Sequence, residues 1–100
     1  MNRLLLSARM LERSAPRFTP AGLPALDIVL RHEGEVGQDG AARKVSLEIR
    51  ALAVGAVQAK VGALALGSEA VFGGYLAPGR NGRGLLFNVI EVEPTAQPTP

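Results

Sequence analysis

One hundred residues leave room for one domain and one core, and 47% hydrophobic against 20% charged residues excludes a chain too polar to fold. The absence of cysteine excludes disulfides, thiol catalysis and thiolate metal sites, a single histidine leaves almost nothing for a zinc site, and no uncharged run approaches the ~20 residues of a membrane-spanning helix. Nine arginines and two lysines against nine acids give a net charge of +2, which permits an anionic partner without requiring one.

Asn2 to Leu11 opens the chain. Leu4, Leu6, Ala8 and Met10 alternate with Arg3, Ser7 and Arg9, which predicts a strand with one buried face; Leu5 and Leu11 break the pattern. The Leu4–Leu6 cluster is too short for a secretory signal and Arg9 interrupts it, so the cytosol is the expected compartment. Arg13 to Pro24 holds three prolines and a glycine and reads as a loop or wide hairpin. Leu26, Ile28 and Leu30 then mark the inner face of a second strand. Glu33 to Ala42, with Gly34, Gly37, Asp39 and Gly40, reads as a flexible polar turn.

The third strand is the plainest. Val45, Leu47, Ile49, Ala51 and Ala53 alternate with Lys44, Ser46, Glu48 and Arg50, and only a strand puts all those polar groups on one side. Val54 to Gly67 predicts a connection with at most one or two helical turns, because Gly55 and Gly62 weaken a helix. Ser68 to Ala77 is a fourth strand. Ala70, Phe72 and Leu76 share one of its faces, Val71 and Tyr75 the other, and Gly73-Gly74 marks a bulge or sharp bend. Pro78 to Gly84 is a turn in which Asn81-Gly82 can take positive φ, and Leu85 to Glu93 is the fifth strand. The predicted folded domain is residues 1–93, and residues 94–100, with three prolines, are predicted to be a disordered tail. Five strands with hairpin-rich connections predict an all-β fold, a five-stranded Greek-key barrel of the oligonucleotide/oligosaccharide-binding kind; an SH3-like barrel is the competitor.

No enzyme is expected. His32 has no cysteine to partner, and Ser7, Ser14, Ser46 and Ser68 sit in no strained strand-to-helix elbow. No carboxylate pair stands out as an acid/base couple, and no cofactor or metal is implied. His32 reads first as polar punctuation at a strand end. The basic residues are more informative. Arg80-Asn-Gly-Arg83 is either a solvated hairpin tip or a mobile clamp whose guanidinium forks pair with phosphate oxygens. Arg43 and Lys44, with Ser46 and Arg50, give the third strand a basic edge, although charged strand faces also serve solubility and Glu48 lowers the local field. Arg13 and Arg17 flank the proline-rich loop. Phe18 reads first as a loop anchor into the core, whereas Tyr75, opposite the Phe72 side, can face a ligand. In such a barrel these positions surround the surface that holds nucleic acid.

Asn2-Arg3-Leu4, Leu6-Ser7, Thr19-Pro20-Ala21-Gly22-Leu23-Pro24 and Ile28-Val29-Leu30-Arg31-His32, followed in order by Arg43, Gly74-Tyr75, Asn81-Gly82 and a closing strand to Glu93, resemble the family of primosomal replication protein N (primosomal protein B). The resemblance covers residues 2–93. It implies a homodimer of oligonucleotide-binding barrels that binds single-stranded DNA, bridges DNA and the restart helicase without catalysis, and in some members hands on to a helicase-loading factor. The segment Asn2 to Ala8 is then the candidate for pairing across a dimer axis. The chain departs from the family where members carry stacking aromatics: Ala41 and Ser46 stand there instead. Its turn between the fourth and fifth strands is also shorter, with Arg80 and Arg83 in place of lysines, while Arg17 matches a basic residue of the first loop. The expected contacts are Arg17, Arg43, Lys44, Ser46, Arg50, Arg80 and Arg83 for the backbone and Tyr75 for bases, with charge outweighing stacking. A protein-interaction adaptor with little DNA affinity is the alternative.

Overall fold

The computed structural model of the protein describes residues 1–95. Its elements are β1 (Leu4–Arg13), β2 (Arg17–Phe18), β3 (Pro24–Gln38), β4 (Ala41–Val54), α1 (Ala56–Gly62), β5 (Glu69–Pro78), a 3₁₀ turn (Arg80–Gly82) and β6 (Leu85–Pro94). The strands lie in the order β1-β5-β6-β4-β3-β2, and an additional β1–β3 pairing closes the five long strands into a barrel. β4 and β6 pair in parallel through Ala51, Leu52 and Ala53 against Phe87, Asn88 and Val89, whereas the other pairings are antiparallel. This is the expected oligonucleotide/oligosaccharide-binding architecture.

β1 serves two neighbours because it bends. Leu4 to Arg9 pair with β5, and Arg9 to Arg13 pair with β3, with the register shifting between Met10 and Glu12. Leu11 is the extra residue of that bulge, which explains why it broke the alternation. The inward rows fill the barrel: Met10, Leu26, Leu30, Phe72 and Phe87 are fully buried, and Val57 and Val61 of α1 plug one end. Arg13 Nη1 fastens that plug to β1 by donating to the carbonyls of Gly62 (2.9 Å) and Leu64 (2.7 Å), which α1 leaves without a helical partner. At the other end the Asn2 side chain continues the ladder, its Oδ1 accepting from Leu76 N–H at 2.9 Å.

The expected polar turn over Glu33 to Ala42 is not a turn. β3 and β4 remain paired from Ala25 opposite Val54 to Gln38 opposite Ala41, so a long ribbon leaves the barrel. The reversal is confined to Asp39 and Gly40, whose φ values of +49° and +78° suit a tight two-residue hairpin. Glycines at 34 and 37 made the segment read as a loop, yet both sit within the ladder. The fourth strand bends where Gly73-Gly74 predicted: the register against β6 shifts between these residues. A Cβ on Gly74 would be driven into the backbone carbonyl oxygen of Asn88, so only glycine permits this close approach. Asn81 and Gly82 take φ of +63° and +68°, as expected. β6 runs to Pro94 and Thr95 N–H reaches Glu69 O at 3.3 Å; the rest of the predicted tail lies outside the described residues.

Replacing Gly74 by alanine is expected to cost about 2–3 kcal/mol of folding stability, since backbone on both sides resists the added methyl. Gly37→Ala, whose Cβ would meet nothing within 4 Å, should stay within about 0.5 kcal/mol of the parent in the same urea unfolding experiment.

Candidate nucleic-acid interface

Residues that alternate with the core point outward, and barrel closure sets them in rows. Tyr75 on β5 lies opposite Asn88 on β6, Asn88 beside Leu52 on β4, and Leu52 opposite Asp27 on β3. One step along the face, Ala77 lies opposite Leu86, and Val29 lies opposite Arg50. Because β4 and β6 are parallel, decreasing residue number leads to the same end of the barrel on both. The β3–β4 ribbon and the turn Arg80–Gly82 therefore project from one end, beyond Arg50 and Leu86, while Arg17 stands toward the other end.

Arg17 is locked in place. Its Nε and Nη2 donate to Asp27 Oδ2 and Oδ1 at 2.8 and 3.2 Å, and this hydrogen bonding and charge raise the Arg17 pKa above its usual value. The pair also fastens β2 over β3. Phe18 does not do so: its ring is 75% exposed, so the loop-anchor reading is overturned. A two-residue strand has one residue facing the sheet and one facing away, and the ion pair decides which.

Alternation also splits the expected basic edge of the third strand, now β4. Lys44, Ser46 and Arg50 lie on the outward side, but Arg43 lies opposite Val36 on the other side. Acids from β3 then face the outward cations of the ribbon: Glu35 is opposite Lys44, and Glu33 is opposite Ser46. Arg31 donates to Glu33 at 2.7 Å, to Glu48 at 3.3 Å and to Ser46 Oγ at 3.2 Å. The Arg31 hydrogen bond, then its charge, holds the Glu33 carboxyl below the ordinary carboxylate range. The outward ribbon face thus sets three carboxylates, Glu33, Glu35 and Glu48, against Arg31 and Lys44 and is not basic. Arg50, by contrast, lies opposite Val29 and makes no ion pair among the described residues.

The structure therefore sets Arg17, Arg50 and Tyr75 on one face, with the turn Arg80–Gly82 projecting from one end of the barrel, Lys44 and Ser46 further out and Arg43 on the reverse side. Tyr75 is 43% exposed, as a ligand-facing aromatic requires. The sequence reading missed Asp27, the partner of Arg17; a carboxylate amid Leu26 and Ile28 was the available signal. Leu52, Leu86 and Asn88 beside Tyr75 left no signal, because only the β4–β6 closure gathers them. His32 does not end a strand as expected: it lies within β3, paired with Leu47, and its Nδ1 meets the carbonyl of Ser7 at 2.6 Å, where β1 leaves β3. Among the described residues no cluster of three or more histidine or acidic side chains could hold a metal ion, and no helix is long and apolar enough to cross a membrane.

Residues 2–91 match a family described as another single-strand binding protein family. The replication restart protein PriB of Bordetella pertussis is 50% identical over 80 residues, 80% of this chain and 75% of that one. PriB of Neisseria gonorrhoeae is 40% identical over 75 residues, 74% of each chain. Among solved structures, PriB of Ralstonia solanacearum superposes with a TM-score of 0.87 at 32% identity, covering 96% of this chain and 99% of that one. The chain belongs to the PriB family. The single-stranded DNA binding protein of Thermus aquaticus shares the fold, with a TM-score of 0.74 at 21% identity over 98% of this chain and 52% of that one.

The Arg31–Glu33 pair makes a pH prediction. A carboxyl with a depressed folded-state pKa stabilises the fold above its unfolded value, here 4.5, and that contribution fades as pH falls through the lowered folded value. Carbon-detected NMR titration should find Glu33 below the ordinary glutamate range, and Arg31→Gln should return it upward.

Proposed function

We propose that the chain is a non-enzymatic single-stranded-DNA-binding component of the replication restart machinery, acting as a homodimer that bridges DNA and the restart helicase. Family membership supports the first part, a single-stranded-DNA-binding role in replication restart. The observation that carries the reading is the alignment of Tyr75 and Arg50 along one outward face, with the Arg80–Gly82 turn projecting from one end of the barrel and Arg17, held by Asp27, toward the other. Guanidinium groups supply phosphate contacts, and an exposed ring supplies a surface on which any base can stack. The dimer reading is supported by the free edge of β1. Leu4 to Ala8 pair with β5 on one side, and no described strand pairs with them on the other. An open edge of this kind is a template for a second strand.

The adaptor reading keeps a place because of one specific feature. Ala41 and Ser46 offer no ring on the ribbon, and acids face its outward cations. Such a ribbon suits a protein partner better than a polyanion.

Labelled oligo-dT titrated across a salt series tests the reading. Each phosphate contact should contribute about −0.7 to the log–log slope, so the Arg80→Ala/Arg83→Ala double variant should flatten it by about 1.4. A wild-type slope near zero, or equal binding to duplex of the same length, would overturn DNA binding. Loss of helicase binding in the double variant, with DNA binding already undetectable in the parent, would establish the adaptor.

A further inference from the structure

The outward face of the barrel divides into two parts of different chemistry. On the ribbon, Arg31 is committed to Glu33, Glu48 and Ser46, and Lys44 lies opposite Glu35. A phosphate approaching there meets three carboxylates, Glu33, Glu35 and Glu48, against two cations, Arg31 and Lys44, and a base finds no ring. Toward the barrel the face changes. Leu52, Leu86 and Val29 are half-buried and Tyr75 is exposed, and all four point away from the core. A soluble barrel usually clothes such rows in polar groups, and a contiguous apolar strip rimmed by polar residues marks a binding surface. Asn88 interrupts the strip between Tyr75 and Leu52. Its Nδ2 donates weakly to Leu86 O at 3.4 Å, and its side-chain oxygen accepts nothing among the described residues. Arg50 adjoins the strip without an acid opposite it.

Flat apolar surface, an amide with a free acceptor and an uncommitted guanidinium match the three parts of an unpaired nucleotide: base face, base edge and phosphate. Tyr75 and Leu52 stand two strands apart, about 10 Å, so the strip is wider than one side chain. We propose that Tyr75, Asn88, Leu52 and Leu86 form the base-carrying strip of this chain, that Arg50 holds the adjoining phosphate, and that the ribbon carries no base. This rests on the single-stranded-DNA reading above and names where on the molecule the bases lie. It moves the stacking surface from the ribbon, where Ala41 and Ser46 stand, to the junction of β4, β6 and β5.

The composition provides the probe. Tyr75 is the one tyrosine and the chain has no tryptophan, so tyrosine emission reports this ring alone. Labelled oligo-dT is titrated with the full chain while the anisotropy of the label and the tyrosine emission are followed together. The expected result is quenching that tracks the anisotropy. Tyr75→Ala should weaken binding about 5- to 150-fold, the range for loss of one stacked base, while Tyr75→Phe stays within about two-fold. Leu52→Gln, on the other side of Asn88, should weaken it in the same direction. An abasic oligonucleotide of equal length should bind wild type weakly and lose little more on Tyr75→Ala. Thermal melts confirm that each variant is folded; if Leu52→Gln unfolds, Tyr75→Ala and the abasic comparison decide. Anisotropy change without quenching, or Tyr75→Ala binding as tightly as wild type, overturns this inference alone. No anisotropy change in wild type overturns the DNA reading and this inference with it.

Discussion

The short parallel pairing of β4 with β6 is the contact on which the rest depends. Without it the strands form an open sheet, with unpaired edges and a half-covered core. With it, Ala51 and Ala53 press inward beside Phe87 and Val89, and the core closes around Met10, Leu30 and Phe72. The same pairing decides the outer surface, because it sets Leu52 next to Asn88 and so brings Tyr75 to the face that carries Arg50 and the Arg17–Asp27 pair. Closure requires a curved β5, and Gly74 permits the curve by letting the backbone of β6 approach where no side chain fits. The make-up of this face is therefore coupled to a close backbone approach between Gly74 and Asn88.

Ion pairs on the surface shape the electrostatic field more than they shape stability. Exposed pairs of this kind contribute little to folding because water already screens them. Their effect is on which cations remain available. Arg31 and Lys44 are answered by Glu33, Glu48 and Glu35, whereas Arg50 is not. On the proposed reading, a polyanion is drawn to the uncompensated part of the face. That selection operates without any change in the net charge of +2.

Much of the fold was legible because alternation is a local property. The inward rows of β1, β3 and β4, the brief helix and the bend at Gly73-Gly74 follow from side-chain period and from glycine's freedom. The ribbon was not legible, because Gly34 and Gly37 imitate a loop and no core lies beneath them to impose alternation. Phe18 misled for a related reason. An aromatic in a loop usually anchors it, but here Arg17 and Asp27 perform the anchoring and leave the ring in solvent. Among the candidate contacts, the outward placement of Tyr75 and Arg50 was readable from strand parity. The separation of Arg43 from Lys44 was readable too, since adjacent strand residues face opposite ways, and the basic edge was drawn too generously.

What the sequence alone determined is the type of molecule: one small all-β domain, strands in a known order, glycines where the chain must bend, and arginines in three separate stretches. These follow from steric and hydrophobic rules that act between near neighbours. Only the tertiary structure decided which arginines are neutralised and which side chains surround Tyr75. Those outcomes depend on pairings such as Arg17 with Asp27, Arg31 with Glu48 and Leu52 with Asn88, and a linear pattern carries no information about register between strands that meet only when the barrel closes.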